Sequence, residues 1–364
     1  MPLTDPRNVY EIAVLPGDGI GVDVIDATRP VLERVASRYG FAFRASTHPG
    51  GAIHYRDSGA ALPDETFAAA READAILFGA MGWPDIRYPD GTEIAPQLSL
   101  RVGLDLYAGV RPARAIPGMP GALADPRAAG IDFVLIREST EGLFASRDTG
   151  TVEGDAVARD TMVITRGGTD RVVDFAFRLA TRRKARGRPG SVTCVDKANV
   201  FRSMAFFRRV FDEVARRHPG ISSGHHYVDA TALDFVRRPW TFDVLVTENM
   251  FGDILSDLAA GLIGGMGMAP SADIGDAHGM FQPCHGSAPD IAGQGKANPT
   301  AALLSAALML DWLGERHNDD RLMRGARAIE AAVDGAFADG GLRPFEIGGG
   351  HGTAAIRDAV LERL

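Results

Sequence analysis

The stretch T-F-D-V-L-V-T-E-N-M-F-G-D-I-L-S-D-L-A-A-G-L, residues 241–262, decides the fold class. Its first part, F-D-V-L-V at 242–246, is a short apolar run that reads as a buried strand. Its last part, I-L-S-D-L-A-A-G-L at 254–262, carries apolar residues at helical spacing. A buried strand followed at once by a helix is the unit of an α/β fold. The same unit recurs along the chain. E-I-A-V-L precedes a helical V-D-V-I-D-A-T-R-P-V-L-E-R-V-A-S-R-Y-G, F-A-F-R-A-S precedes helical D-E-T-F-A-A-A-R-E-A, and D-A-I-L-F-G follows. Later runs, I-D-F-V-L-I, S-V-T-C-V, H-Y-V and D-V-L-V, are mostly followed by helical segments. The pattern predicts an α/β protein with a largely parallel sheet. The Gly-, Pro- and Ala-rich segment 264–300 reads as long functional loops. From Asn298 onward the chain reads as helical, with a second helix from about Asp319.

Composition narrows the function. The chain has 364 residues, 45% of them hydrophobic, which suffices for two domains with sizeable cores. A net charge of −8 gives no footprint for nucleic acid. The one basic cluster, R-R-K-A-R-G-R at 182–188, reads as the cationic end of a helix. Two cysteines, Cys194 and Cys284, cannot build a disulfide framework and fit a reducing compartment. The N-terminal stretch has no basic start followed by an apolar run, and A-A-L-L-S-A-A-L-M-L at 301–310 is too short to span a bilayer. These features lead us to expect a cytoplasmic protein.

The opening stretch also poses a chemical question. Asp253 and Asp257 lie one helical turn apart on one face, where like charges repel. As a pair they suit an oxygen-liganded Mg²⁺ or Mn²⁺. The competing reading is that Asp253 caps the helix and Asp257 faces solvent. Spacing alone slightly favours that competing reading.

Other charged residues follow strand-like runs: Arg137, Lys197, Asp229 and Asp253. In α/β folds, ligands bind beyond the carboxyl ends of strands. The segment L-S-L-R-V-G-L-D-L-Y-A-G-V-R-P-A-R at 98–114 adds Arg101, Arg111 and Arg114. A guanidinium grips a carboxylate with two parallel bonds, so Arg111 and Arg137 suggest a di- or tricarboxylic acid. For Arg114 a surface salt bridge is an equally simple reading. P-G-D-G-I-G at 16–21 follows a strand and opens a helix, but its spacing is not that of a dinucleotide fingerprint. Tight-turn geometry explains its glycines as well as phosphate approach does. The segment H-G-S-A-P-D-I-A-G-Q-G-K-A-N-P-T at 285–300 combines His285, small residues and Asp290. An acid there can accept from both ribose hydroxyls of an adenosine and repel a 2′-phosphate, although a structural Ω-loop explains it too.

Six motifs together, L-P-G-D-G-I-G, L-D-L-Y-A-G-V-R-P, D-K-A-N-V, Y-V-D-A, N-M-F-G-D-I-L-S-D-L-A-A-G-L-I-G-G and H-G-S-A-P-D-I-A-G-Q-G-K-A-N-P-T-A, occur in this order over nearly the whole length. In them the chain resembles the β-decarboxylating dehydrogenases of (R)-hydroxyacids: 3-isopropylmalate, isocitrate, homoisocitrate, tartrate and D-malate dehydrogenases. The resemblance implies an isopropylmalate dehydrogenase-like two-domain α/β fold, NAD, Mg²⁺ or Mn²⁺, and an intertwined homodimer with shared active sites. It divides the chain into a cofactor domain, 1–106 plus 264–364, and a dimerisation and metal domain, 107–263. An intersubunit arm is expected at 140–165, and a cleft between the domains is expected to hold metal, acid and NAD.

By the same resemblance, Arg101, Arg111 and Arg137 hold substrate carboxylates. Asp253 and Asp257 are metal ligands, with Asp229 completing the set from the partner subunit. Lys197, also from the partner, handles the C2 hydroxyl proton. His285, Gly286, Ser287, Ala288, Asp290, Ile291 and Asn298 form the cofactor loop, and the Asp-Ile pair is the NAD form. Gln97 and Leu98, in E-I-A-P-Q-L, stand where the group on C3 is read. This pair matches neither the two leucines of leucine-pathway enzymes nor the serine of isocitrate enzymes. A small or apolar C3 substituent is the expectation.

One position departs from the family. Phe144, in R-E-S-T-E-G-L-F-A-S, stands where relatives carry a tyrosine that protonates the enolate carbon. Either water or another side chain protonates that carbon, or oxidation proceeds with weak decarboxylation, or the chain is a non-catalytic regulatory subunit. Retention of Lys197 and all three aspartates argues against the last. The leading expectation is a dehydrogenase most like that for 3-isopropylmalate. The alternatives are isocitrate, homoisocitrate, tartrate or D-malate dehydrogenase, or a specialised-metabolism relative.

Overall fold

The computed structural model describes residues 9–146 and 149–364. The start of the N-terminal stretch and residues 147–148 of the expected arm lie outside the described residues. The chain begins with β1 (Val9–Gly17), α1 (Ile20–Tyr39), β2 (Ala42–Thr47), α2 (Ala52–Ser58), α3 (Asp64–Glu72), β3 (Ala75–Ala80) and α4 (Pro96–Gly103). It continues through β4 (Ala108–Arg114), β5 (Asp132–Glu138), β6 (Thr151–Glu153), β7 (Val157–Arg159), α5 (Arg166–Ala185), β8 (Ser191–Asp196), α6 (Arg202–Ala215), β9 (Ser222–Tyr227), α7 (Val228–Arg237), β10 (Val244–Thr247) and α8 (Asn249–Leu262). It ends with β11 (Pro270–Ile274), β12 (Gly279–Pro283), α9 (Thr300–His317), α10 (Asp320–Phe337) and α11 (Thr353–Leu361).

The chain forms two compact units. The first comprises residues up to Leu104, Ile116–Pro120 and Ile263–Leu364. Its strands run in the order β2-β1-β3-β12-β11, parallel except for the antiparallel β11–β12 pair. The alternation of apolar runs and helices expected from sequence is present here. β3 is buried at every position, as befits a strand covered on both faces. Helix α9 packs on β11 and β12, and α10 packs on α9 and α1. α9 is buried almost all round, which its alanine- and leucine-rich sequence permits.

The structure corrects the reading of 264–300 as loops throughout. Residues 270–274 and 279–283 are fully buried strands. Two features hid them. Pro270 and Pro283 occupy strand ends, where a missing N–H is tolerated. Asp273, Ser271 and Gln282 are buried polar residues that break the apolar signal. Each has a partner: Ser271 N donates to Ser305 Oγ, and Gln282 and Arg101 donate to Asp273.

The second unit comprises Asp105–Ala115 and Gly121–Leu262. Its strands run β4-β5-β10-β8-β9, with β4–β5 antiparallel and the others parallel. Phe133, Phe177, Phe207, Phe211 and Phe235 fill its core. β6 and β7 form a separate antiparallel hairpin, exposed along its whole length. The basic cluster at 182–188 closes α5 as expected of a cationic helix end. Arg183 ion-pairs with Asp132 and Asp243, and Lys184 Nζ donates to the Gly220 carbonyl. No helix among the described residues is long and apolar enough to cross a membrane.

Candidate active site

In the second unit the opening stretch folds as strand β10 and helix α8, and the helix begins at Asn249. Glu248 supplies the cap: its carboxylate accepts from Met250 N at 3.0 Å and Phe251 N at 2.6 Å. Asp253 is therefore not the cap, because it lies a full turn inside the helix. Burial holds the Glu248 carboxyl above its usual range, against these backbone bonds and the charge of Arg137.

Asp253 and Asp257 project from one face of α8. Burial, and then the charge of Asp253, raise the Asp257 carboxyl above its ordinary range, while Arg137 and Arg111 pull it down. Two arginines thus act on a helix whose own sequence holds no cation. Both are buried, Arg111 on β4 and Arg137 on β5. Arg137 forms an ion pair with Asp253, donates from Nε to Asn249 Oδ1 at 2.8 Å, and lies over the Phe144 ring, 4.9 Å from its centroid. Gly252 is needed at this contact, because a Cβ there would lie 2.7 Å from the Arg137 side chain. Arg111, Arg137, Asp253, Asp257, Asn249 and Phe144 accordingly form one constellation.

Lys197 and Asp229 form another pair in the same unit. Lys197 Nζ lies 2.8 Å from Asp229 Oδ1, between the loop after β8 and the first turn of α7. This bond lowers the Asp229 carboxyl below its ordinary range. Asp229 is not gathered with Asp253 and Asp257: among the described residues no three His, Cys, Asp or Glu side chains stand in metal-binding geometry.

In the first unit, α4 carries Gln97, Leu98 and Arg101. Arg101 is buried, and its Nε donates to Asp273 Oδ2 at 3.0 Å. Asp273 is itself wholly buried and also accepts from Gln282 Nε2 at 2.8 Å. This anchoring carboxylate escaped the sequence reading because it sits in an element taken for loop.

The P-G-D-G-I-G turn is a packing device. A Cβ on Gly19 would lie 2.0 Å from the Ser287 carbonyl oxygen, and Ile20 N donates to that oxygen at 2.8 Å. Asp18 is buried and accepts from Ala52 N, Ile53 N and Gly82 N. Ser287 is occupied as well, donating from Oγ to the Gly82 carbonyl at 2.6 Å. The turn and the 285–298 segment are therefore one structure, with Ala288 and Ile291 packed against Ile20, Val24 and Ala297. Gly286 and Asp290 are exposed.

A cavity of about 290 Å³ opens beside this segment, lined by Ile20, His285, Ile291, Asn298, Phe345 and Glu346 among others. His285 Nδ1 lies 2.9 Å from the Gly286 carbonyl, which can only accept, so Nδ1 carries the proton. Its Nε2 is buried without a partner, and burial pushes the ring's pKa down, towards the neutral form. Asn298 donates to Glu346 Oε1 at 2.5 Å and accepts from Thr300 at the start of α9. Phe345 and Glu346 were not foreseen, because they lie some fifty residues beyond the motif they complete.

The chain resembles known proteins over nearly its full length. Residues 11–360 match the family model described as isocitrate/isopropylmalate dehydrogenase. It is 42% identical to a 3-isopropylmalate/3-methylmalate dehydrogenase of Methanocaldococcus jannaschii, covering 98% of this chain and 99% of that one. It is 44% identical to a 3-isopropylmalate dehydrogenase of Salinibacter ruber, covering 92% and 90%. Among solved structures, an isocitrate dehydrogenase from Methylococcus capsulatus superposes with a TM-score of 0.84 at 36% identity, covering 97% and 99%. A β-decarboxylating dehydrogenase from Thermococcus kodakarensis, in its apo form, gives 0.78 at 38% identity, covering 97% and 96%. With this match in sequence and fold, the chain belongs to the isocitrate/isopropylmalate dehydrogenase family.

Proposed function

We propose that the protein is an NAD-dependent dehydrogenase of a 3-substituted (R)-malate-type 2-hydroxy diacid, most like 3-isopropylmalate dehydrogenase. It oxidises C2 and releases the carboxyl group on C3 as carbon dioxide. The observation that carries this reading is similarity over more than nine-tenths of the chain to 3-isopropylmalate dehydrogenases at 41–44% identity. The first unit is the cofactor domain, and the second the dimerisation and metal domain.

The residues fit the groups this chemistry needs. Asp253 and Asp257 present two carboxylates, one of them with raised proton affinity, a donor set suited to Mg²⁺ or Mn²⁺. Bound there, the ion would supply Lewis acidity at the C2 oxygen. The cavity beside His285 is apolar on several sides and is large enough to admit an aromatic base, which suits the adenine end of NAD. NAD bound there would supply the hydride acceptor for C2. Asp290 would favour a free ribose over one bearing a 2′-phosphate.

The chain's own side chains do the rest. Arg101, Arg111 and Arg137 hold the substrate carboxylates, and their burial strengthens each charged bond. Asp273 and Asn249 fix two of these guanidinium groups before substrate arrives. Lys197, held by its ion pair with Asp229, is the group that handles the proton of the C2 hydroxyl. Phe144 offers no proton to C3, so that proton comes from water or another group.

The metal set of one chain is two carboxylates, while Asp229 is engaged with Lys197. We infer that Asp229 and Lys197 act in a second copy's site, within a homodimer. Val200, Phe201, Leu233, Val236 and Ile254 support this, being apolar residues of the second unit that are more than half exposed. The exposed β6–β7 hairpin is the proposed intersubunit arm.

The test is a panel of 2-hydroxy diacids assayed with NAD and Mn²⁺, recording NADH and carbon dioxide. NADH formation that EDTA abolishes and Mn²⁺ restores is the expected result. No NADH with any substituted malate, at protein concentrations where the dimer forms, overturns the reading.

A further inference from the structure

Strands β8 and β9 run parallel and side by side, and their last residues, Asp196 and Tyr227, are register partners. Lys197 follows the first, and Asp229 lies just past the second. Asp196 is wholly buried, and its carboxylate takes both arms of the Arg208 guanidinium, Nε at 2.8 Å and Nη2 at 2.7 Å. The same carboxylate accepts from Ala198 N at 2.8 Å, which ties down the turn that carries Lys197. A bidentate pair fixes the plane of the guanidinium. So fixed, Arg208 lies over the Tyr227 ring, 5.1 Å from its centroid. The Tyr227 backbone is held as well, because its carbonyl accepts from Thr231 Oγ1 at 3.0 Å at the start of α7. The Lys197 ammonium lies over the same ring, 5.8 Å from the centroid.

A lysine side chain is long and flexible, so its charged end needs more than one hold to keep a fixed place. The ion pair of Lys197 with Asp229 is closed at 2.8 Å, but the Asp229 side chain is 68% exposed, and an ion pair in water holds weakly. An aromatic face attracts a cation through its quadrupole, which adds a second hold of similar strength. Asp196 neutralises Arg208, so the two cations share the ring without strong mutual repulsion. We propose that Tyr227 is a positioning residue: its ring, set by the Asp196–Arg208 pair, holds the Lys197 ammonium where the C2 hydroxyl proton is handled. This inference rests on the proposed function, in which Lys197 carries that step. The ring face is the active part, and the phenol hydroxyl has no share in it.

The test varies the ring at position 227 and reads kcat and KM separately, with NAD, Mn²⁺ and the best diacid substrate of the wild type. Tyr227→Phe keeps the face and should keep kcat within about twofold. Tyr227→Leu removes it and should lower kcat about tenfold, with KM for the diacid, NADH binding and the dimer mass unchanged, since a loosened reacting group costs rate rather than affinity. Placing 3,4,5-trifluorophenylalanine at position 227 keeps the size of the ring and drains its quadrupole, and should lower kcat about threefold relative to Tyr227→Phe. Should Tyr227→Leu unfold or dissociate, the fluorinated ring decides. A fluorinated ring as active as phenylalanine overturns the inference, because packing alone would then serve. Tyr227→Phe as slow as Tyr227→Leu also overturns it, since the hydroxyl would then be the active part. So does a folded Tyr227→Leu dimer with wild-type kcat, or one whose loss falls on KM. In each of these cases wild-type turnover leaves the proposed function standing. Absence of NADH from the wild type with every diacid sinks both.

Discussion

Replacing Asp273 by asparagine isolates the contribution of a buried anion to the substrate grip. The Arg101–Asp273 pair is closed at 3.0 Å, with side-chain exposures of 9% and 0%. At that distance and an effective dielectric of about 20, the attraction is about 5 kcal/mol. Desolvation of both ions offsets much of it, but removing one partner leaves the other charge buried, which costs roughly 3–5 kcal/mol. Asparagine keeps one oxygen that can accept from Arg101 or from Gln282, recovering about 1 kcal/mol. The net expectation is a loss of about 2–4 kcal/mol, or a fall in melting temperature of roughly 4–16 °C for a unit of this size. Function should suffer separately. A guanidinium released from Asp273 no longer holds its fork towards the substrate, so KM for the diacid should rise at least tenfold while KM for NAD changes little. The assays are urea denaturation followed by circular dichroism, and initial rates with each substrate varied in turn. A stability loss below about 1 kcal/mol together with an unchanged diacid KM would refute the reasoning. The anion would then be dispensable and Arg101 held by packing alone.

Three further outcomes follow from other contacts. Tyr10, wholly buried, donates to Asp319 Oδ2 at 2.8 Å, and Tyr10→Phe should cost about 1–2 kcal/mol in denaturant titrations at pH 7. Burial opposes ionisation of Asp319, but the bonds from Arg321 and Tyr10 prevail and its carboxyl lies below the ordinary range. A depressed pKa stabilises the fold above the unfolded carboxyl value and is lost as pH falls through the folded one. The wild-type advantage over Tyr10→Phe should therefore hold at neutral pH and shrink below about pH 4; an advantage unchanged down to pH 2 contradicts the assignment. Lys197→Met should leave NADH binding intact, read by fluorescence, and abolish turnover; near-normal turnover removes Lys197 from the mechanism. Phe144→Tyr places a phenol beside Arg137 and should raise turnover wherever protonation of C3, which follows loss of carbon dioxide, limits the rate. Unchanged turnover shows that position 144 does not limit that step.

Local sequence carries local information, and much of this protein is local. The α/β class is legible because strands such as 75–80 and 244–247 are continuous apolar runs, and the helices after them have a 3.6-residue period. The family is legible from motifs that are short, ordered and dense in chemistry. The paired aspartates of α8 were identifiable for the same reason, since their spacing alone sets them on one face. What sequence misassigned depends on partners distant along the chain. β11 and β12 read as loop because Asp273 and Gln282 are polar, and they are tolerated in a core through their bond to each other and through Arg101, more than 170 residues from Asp273. Asp253 could be mistaken for a cap because the true cap, Glu248, is identified by where its carboxylate points.

The cation that meets Asp253 comes from β5, so a reading confined to 247–257 finds only repulsion. Phe345 and Glu346 join the His285 segment by tertiary packing, with nothing in their own neighbourhood to mark them. Sequence by itself determined which residues have the chemistry to hold acids, cations and a nucleotide, because residue type and period suffice for that. Tertiary structure decided which of those charges are already neutralised. Burial and pairing are properties of contacts between distant segments, and no local pattern encodes them.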